Sequence, residues 1–305
     1  MNRLIRLALT LLAIATPLAA GAAEKPRVVA TFSVIGDLVA NIAGDHIELT
    51  TLVGPDGDTE LYAPTAADIP KLAKAQVVFM NGLNDEFEPW LEKLLMQAKF
   101  AGTKIVVSRD AKVLTAETET RPGVKPKPIA LDQHAWLDPR NALVYVKNIA
   151  DALARIDPAN AEDYRKRAAA YSQELRELDA WARAEMAGVP PGKRRALSSH
   201  DSLQYLANAF SITMISINGW TNQAEPSAAV LAKLTAQIRQ ERVRALFLDS
   251  ITDKRAMERI SRETGAAIGG TIYADALSKP GGEADTYLKM IRHDVATLKA
   301  GMLRN

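Results

Sequence analysis

Cysteine is absent from the 305 residues, which excludes disulfide bonds, thiolate metal sites, thiol catalysis and a lipid anchor on an N-terminal cysteine. A charge excess is also absent, since 38 Lys and Arg stand against 36 Asp and Glu, and this balance does not indicate a nucleic-acid partner. Gly and Pro are few, at 17 and 15 residues, and no short repeat occurs, so collagen-like, fibrous and disordered classes are excluded. Hydrophobic residues make up 48% of the chain, which is enough for a buried core. The length of the chain favours two domains over a single domain.

The first 23 residues have the three-part pattern of a secretory signal peptide. Two arginines precede the apolar run Leu7–Leu18, and small residues follow it as far as the charged Glu24. The run is too short to span a bilayer, although a short N-terminal membrane anchor is the alternative interpretation. We expect cleavage after Ala22 or Ala23 and a soluble, exported mature chain. Without a cysteine to lipidate, the expected compartment is a Gram-negative periplasm.

Short β-branched runs then alternate with segments of helical periodicity, four strands before a long helix and four after it. This alternation predicts an α/β fold with parallel sheets. We predict two similar lobes, each a four-stranded, mostly parallel sheet flanked by helices, joined by one long rigid helix. The predicted boundaries are 1–23 for the signal peptide, 24–156 for the N-terminal lobe, 157–188 for the connecting helix and 189–305 for the C-terminal lobe. Ligands of such sheets bind beyond the carboxyl ends of the strands, which places a site in the cleft between lobes.

The connecting helix is predicted to begin at Asp157-Pro158 and to stop before Val189-Pro-Pro-Gly. Its apolar positions recur every three or four residues, at Ala161, Tyr164, Ala168, Tyr171, Leu175, Leu178 and Trp181. At 1.5 Å per residue such a helix spans roughly 40 Å. A coiled coil is less well supported, because the heptad lasts only about three repeats. A second, short helix is predicted over residues 65–74, with Thr65 as its N-cap.

Histidine occurs four times in the chain, at His46, His134, His200 and His293. His134 and His200 lie where predicted strands and loops meet, and Glu60 and Asp275 occupy loops after the second and the last strand. All four would point to the same side of the two sheets. Two imidazoles and two carboxylates suit a divalent transition metal, although no pair has local spacing such as His-x-x-x-His. We expect His46 and His293 to be bystanders, and Tyr62 and Trp136 to be packing groups that dry the cleft.

Six ordered stretches carry a resemblance to a known family: Tyr62-Ala-Pro-Thr-Ala-Ala-Asp, Asn81-Gly-Leu before Trp90, His134-Ala-Trp-Leu-Asp-Pro, Ser199-His-Asp-Ser, Glu225-Pro-Ser and Gly270-Thr-Ile-Tyr-Ala-Asp-Ala-Leu-Ser. On these stretches the chain resembles the periplasmic solute-binding receptors of zinc/manganese ABC importers, the metal-receptor class with a rigid interdomain helix. The likeness covers essentially everything after the signal peptide.

The resemblance implies one metal ion per chain, held between the lobes by one side chain from each of four loops. Three positions carry over directly, as His134, His200 and Asp275. The fourth differs, because Glu60 stands in Asp58-Thr-Glu-Leu-Tyr-Ala-Pro-Thr where relatives usually have histidine. A carboxylate binds zinc at about the same distance as an imidazole, so the site is expected to survive with altered charge and selectivity.

The resemblance also implies the cargo and the partners. Zinc is favoured over manganese because zinc-type members have histidine at the third position, here His200, whereas two carboxylates also suit manganese. The segment 112–131 contains no histidine, so the His-rich capture loop of many zinc receptors is absent. The implied partner is an ABC transporter membrane permease, with a periplasmic metallochaperone as an optional second partner, and we expect a monomer.

We predict a receptor and not an enzyme, but two alternatives stay open. A zinc hydrolase needs three protein ligands, an open position for water and a nearby general base. Glu60 could serve as that base if it were not a ligand. A metal-storage chaperone on the same fold is the second alternative, and sequence does not separate storage from delivery.

Overall fold

The structure is a computed structural model that describes residues 24–83, 87–115, 131–216 and 228–305. The first sheet of the described chain contains β1 (Arg27–Phe32), β2 (Glu48–Val53), β3 (Val77–Met80) and β4 (Thr103–Val106). The second contains β5 (Arg195–Ser198), β6 (Thr213–Ser216), β7 (Ala245–Asp249) and β8 (Ala267–Ile272). The predicted signal peptide and the Glu225-Pro-Ser stretch lie outside the described residues.

Both sheets are parallel throughout and repeat one topology. Their strand orders are β2-β1-β3-β4 and β6-β5-β7-β8. In the first sheet β1 lies between β2 and β3, and in the second β5 lies between β6 and β7. The strand order therefore reverses beside β1 and beside β5. Loops beyond the carboxyl ends at such a point form the usual ligand crevice of an open α/β sheet. The predicted fold class, two similar lobes with a long connecting helix, is confirmed.

The α-helices of the described residues are α1 (Ser33–Ala43), α2 (Ile69–Ala73), α3 (Leu91–Gln97), α4 (Pro139–Ile156), α5 (Ala161–Ala187), α6 (Gln204–Phe210), α7 (Ala228–Glu241), α8 (Arg255–Thr264) and α9 (Tyr287–Met302). None of the helices in this described part combines the length and the apolar composition that crossing a membrane requires. Asp138-Pro139 predicts a helix start, because proline is tolerated in the first turn. Helix α4 begins there, and the Asp138 carboxylate accepts a hydrogen bond from the Arg140 N–H.

The long helix α5 has 27 residues and begins four residues later than predicted. A short 3-10 turn over Pro158–Asn160 precedes it. The Asp157 carboxylate accepts hydrogen bonds from the Asn160 side-chain amide and the Tyr164 hydroxyl, which holds this turn apart from the helix. The predicted stripe is buried except at Trp181, which is half-buried beneath the Arg292 guanidinium at 4.8 Å from the ring centroid.

The prediction of a helix over residues 65–74 capped by Thr65 was wrong, because α2 covers only Ile69–Ala73. The Asp68 carboxylate accepts hydrogen bonds from the Thr65 N–H and hydroxyl and from the Tyr62 hydroxyl. These bonds form a compact loop in place of the first helical turns. Burial raises the pKa of Asp68, but hydrogen bonds from Lys71, Thr65 and Tyr62 outweigh it and lower the pKa to about 2. The ionised Asp68 thus holds the loop that follows Glu60.

A single hydrophobic core extends across both halves of the chain, and a smaller one covers the other face of the second sheet. The loop between β8 and α9 belongs to the larger core. Trp136 donates its indole N–H to the Ala274 carbonyl at 2.8 Å, and Tyr287 donates its hydroxyl to the Trp136 carbonyl at 2.6 Å. The Leu277 N–H donates to the Ser33 hydroxyl at 2.9 Å. Residues of the first half therefore hold the loop that carries Asp275.

Candidate metal centre

Four side chains from four loops converge where the carboxyl ends of the two sheets face each other. Glu60, His134, His200 and Asp275 each offer one ligand atom, and these atoms all lie within 4.8 Å of one another. Glu60 is 4% exposed and the other three are fully buried. Glu60 follows β2, His134 precedes α4, His200 follows β5 and Asp275 follows β8. The structure thus brings together the four residues that sequence analysis singled out.

His134 is oriented by the residue two positions before it. The Asp132 carboxylate accepts hydrogen bonds from the His134 backbone N–H at 3.0 Å and from ring Nδ1 at 2.8 Å. This bond assigns the proton to Nδ1 and aims Nε2 into the cluster, 3.4 Å from Asp275 Oδ1. A carboxylate on the far ring nitrogen is the usual means by which proteins fix a metal-binding imidazole.

His200 lies between two carboxylates. Its Nδ1 atom is 3.4 Å from Asp275 Oδ2 and 3.5 Å from Asp249 Oδ2. Asp249 ends β7 and accepts hydrogen bonds from the Ile251 N–H at 3.1 Å and the Ser202 hydroxyl at 3.4 Å. The second sheet therefore supplies both the imidazole and a buried acidic group that faces it.

Asp275 has the least satisfied polar atoms of the cluster. Within the described part of the chain, neither of its carboxylate oxygens has a hydrogen-bond partner, and the same holds for His134 Nε2. A buried polar atom without a hydrogen bond costs about 1–3 kcal/mol, and more when it is charged. Unsatisfied polar atoms on two neighbouring side chains fit a cation, since coordination would satisfy His134 Nε2 and one oxygen of Asp275 together.

Glu60 is held from both its main chain and its side chain. The Asp58 carboxylate accepts hydrogen bonds from the backbone N–H groups of Glu60 and Leu61 at 2.9 and 3.0 Å. The preceding carbonyl, that of Thr59, accepts the indole N–H of Trp90 at 2.8 Å. The Gln133 side-chain amide donates to Glu60 Oε1 at 2.5 Å. These contacts turn the glutamate inward from an otherwise polar loop.

Aromatic rings enclose the first-half side of the cluster. The ring centroids of Trp136 and Phe87 lie 5.5 and 6.2 Å from that of His134, and both side chains are fully buried. Tyr62 packs against Trp90 at 4.9 Å but is only half-buried, because its hydroxyl reaches Asp68. The expectation that Trp136 and Tyr62 are packing groups is confirmed. Excluding water from the cluster strengthens the electrostatic interactions inside it.

The cluster shifts the pKa values of its members strongly. Burial lowers the pKa of His200, but the carboxylates of Asp275 and Asp249 outweigh it and raise that pKa to about 10. The pKa of His134 is likewise raised by Asp275 and Asp132 against the effect of burial. Burial raises the pKa of Asp275 to about 6, although both imidazoles pull it down. Both imidazoles thus hold a proton more tightly than a free histidine does.

The other two histidines lie outside the cluster. His46 Nε2 is 2.8 Å from Asp163 Oδ2 on α5, and His293 Nε2 is 2.9 Å from the Thr271 carbonyl oxygen. Sequence analysis missed three residues that contact the cluster, namely Asp132, Gln133 and Asp249. The Asp-x-His pattern and the strand-end position of Asp249 were available signals for two of them. Nothing in the sequence distinguishes Gln133.

The fold and this cluster define a class of protein: metal receptors whose two parallel-sheet lobes, joined by one long helix, enclose a group of imidazoles and carboxylates. The family follows from the sequence, since residues 28–301 match the family described as "ZnuA: Zinc-uptake complex component A periplasmic", and the chain belongs to it.

Similar proteins are named for different metals. The metal ABC transporter substrate-binding lipoprotein FimA of Streptococcus parasanguinis is 31% identical over 296 residues, 96% of this chain and 94% of FimA. The manganese ABC transporter substrate-binding lipoprotein PsaA of Streptococcus anginosus is 31% identical over 283 residues, 92% of this chain and 90% of PsaA. The structure of the periplasmic zinc-binding protein TroA from Treponema pallidum superposes with a TM-score of 0.82 at 27% identity, covering 92% of this chain and 99% of TroA.

Proposed function

We propose that this chain captures one zinc ion between its two lobes, with Glu60, His134, His200 and Asp275 as ligands, and delivers it to the membrane permease of an ABC importer. The observation that carries the proposal is the convergence of four ligand atoms within 4.8 Å. On two of the four residues the polar atoms in the cluster, His134 Nε2 and the Asp275 carboxylate oxygens, have no hydrogen bond in the described chain. Two carboxylates also balance the charge of a divalent ion.

The choice of zinc rests on the donor atoms. Zinc accepts two imidazole nitrogens and two carboxylate oxygens in a four-coordinate, tetrahedral site. Manganese prefers more oxygen donors and octahedral geometry. A manganese receptor is the alternative, which is supported by the two carboxylates and by the manganese named for PsaA of Streptococcus anginosus.

The site also supports a receptor over a hydrolase. A zinc hydrolase keeps one coordination position open and places its general base beside it. Here Glu60 lies among the four converging ligand atoms, which is the position of a ligand. A storage chaperone would have the same site, so delivery rests on membership of the importer family.

Competition between metals tests the proposal. Protein stripped of metal and dialysed against equal concentrations of zinc and manganese is expected to retain one zinc and no manganese per chain, because the two imidazoles favour the softer ion. Elemental analysis of the dialysed protein measures the ratio. Manganese as the retained ion would support the alternative receptor, and retention of neither ion would overturn the metal-receptor proposal.

A substitution series separates a ligand role for Glu60 from a merely buried one. Glu60→Gln keeps the shape but removes the charge, and Glu60→Ala leaves a position for water, so both should weaken zinc binding. Glu60→His should raise the preference for zinc over manganese, because imidazole is the softer donor. Zinc and manganese affinities of the four proteins, obtained by competition titration, check this. Agreement of wild type, Glu60→Gln and Glu60→Ala within about twofold would mean three protein ligands only.

We further propose that the exported chain acts in the periplasm as a monomer, with a metallochaperone as an optional second donor of metal. FimA and PsaA are named lipoproteins, whereas these 305 residues contain no cysteine for a lipid anchor.

Helix α5 packs against α4 and α1 of the first half and α9 of the second. This bracing supports a mechanism in which loops, and not a wide hinge, change on loading.

A further inference from the structure

The Gln133 side chain links the His134 loop to Glu60. It is fully buried, and its Nε2 atom lies 2.5 Å from Glu60 Oε1. An ionised carboxylate can only accept hydrogen bonds, so the amide presents its NH2 group to this oxygen. The two residues are 73 positions apart in the chain, so the bond joins two separate loops of the first lobe.

The main chain at Gln133 is fixed independently of that bond. The Asn81 side-chain amide donates to the Gln133 carbonyl at 2.8 Å, and Asn81 Oδ1 accepts the Tyr145 hydroxyl at 2.6 Å. On the neighbouring residue, the Asp132 carbonyl accepts the Tyr205 hydroxyl at 2.8 Å. The amide of Gln133 is therefore a positioned donor and not a surface group that follows Glu60.

The tripeptide 132–134 thus organises two ligands from one short segment. Asp132 aims the His134 ring, and Gln133 holds the carboxylate that comes from the other loop. A carboxylate can bind a metal through one oxygen or through both. An amide on Oε1 favours the first mode, because it occupies one of the two lone-pair directions of Oε1 and makes that oxygen a weaker ligand than the free Oε2.

We propose that Gln133 is a specificity-determining positioning residue: its hold on Glu60 Oε1 makes the carboxylate a one-oxygen ligand, which keeps the site four-coordinate and favours zinc over manganese. Zinc sites with four protein ligands are tetrahedral, whereas manganese prefers six-coordinate oxygen-rich sites. The inference rests on the proposed function, since it takes Glu60 to be a ligand.

Cobalt(II) reports the coordination number directly, because tetrahedral cobalt absorbs visible light far more strongly than five- or six-coordinate cobalt. Wild type loaded with cobalt is expected to show the strong tetrahedral bands, and Gln133→Leu the weak ones. The preference for zinc over manganese should fall about tenfold in Gln133→Leu, at the lower end of the effect of losing an outer partner of a metal ligand. Gln133→Met provides a second variant without the amide should the leucine protein not fold.

The same substitution in a Glu60→His background is the matched control. With no carboxylate to hold, Gln133→Leu should change neither the cobalt spectrum nor the metal preference. The inference would be overturned if Gln133→Leu changed the cobalt spectrum and the metal preference equally in the Glu60 background and in the Glu60→His background. It would also be overturned if Gln133→Leu changed neither of them in the protein that keeps Glu60. Failure of wild type to bind either zinc or cobalt would instead overturn the proposed function, so the two failures are distinguishable.

Discussion

His134→Ala and His200→Ala are each expected to weaken zinc binding by about 100-fold or more. Loss of an outer partner of a metal ligand already costs about 10- to 100-fold, and each substitution removes a ligand itself. His200→Ala also removes the imidazole that lies between the carboxylates of Asp249 and Asp275. Competition titration with a zinc chelator measures both variants against wild type.

The chain provides its own controls for these two substitutions. His46→Ala and His293→Ala also remove one imidazole each, but from sites paired with Asp163 and with the Thr271 carbonyl. Both should bind zinc as wild type does. Thermal unfolding of the metal-free proteins shows whether each variant is folded. Wild-type affinity in folded His134→Ala and His200→Ala would remove both imidazoles from the proposed ligand set.

Zinc affinity is expected to fall as pH falls, by about 10-fold per pH unit or more near neutrality. A proton and a zinc ion compete for the same imidazole nitrogen, so a protonated histidine must lose its proton to bind. The pKa of His200 is raised to about 10 and that of His134 is raised by Asp275 and Asp132 against the effect of burial. His200 of the metal-free protein is therefore protonated at pH 7, and the raised pKa of His134 adds to the competition, so binding one zinc should release at least one proton.

Proton competition extends to Asp275 at lower pH. Burial raises the pKa of Asp275 to about 6, although both imidazoles pull it down. Below pH 6, protons therefore compete with zinc for this carboxylate as well. Calorimetric titration in buffers of different ionisation enthalpy counts the protons released per zinc. A flat affinity between pH 7 and pH 5, with no proton release, would show that the imidazoles are not ligands.

The element pattern was readable from the chain because it is local. The runs 27–32 and 267–272 predict strands, and β1 and β8 have those bounds. Asp138-Pro139 predicts the start of a helix, and α4 begins at Pro139. The exceptions are places where a side chain replaces a backbone bond. Asp157 separates a 3-10 turn from α5, and Asp68 folds residues 62–68 into a loop. Such bonds depend on rotamers and neighbours that residue periodicity does not encode.

The sequence by itself determined the parallel α/β architecture, through the alternation of strand and helix periods. It also pointed to the four residues of the cluster, through their loop positions at strand ends and the resemblance to metal receptors. The tertiary structure decided how those residues meet: which ring nitrogen of His134 faces inward, that both oxygens of Asp275 lack hydrogen bonds, and that Gln133 holds Glu60. The ring orientation depends on a side-chain hydrogen bond to Asp132, two positions away, whose geometry residue spacing does not encode. For the other two features the physical reason is distance along the chain: Gln133 and Glu60 are 73 positions apart, so their contact exists only after the loops have packed together, and burial then shifts the pKa values of the cluster.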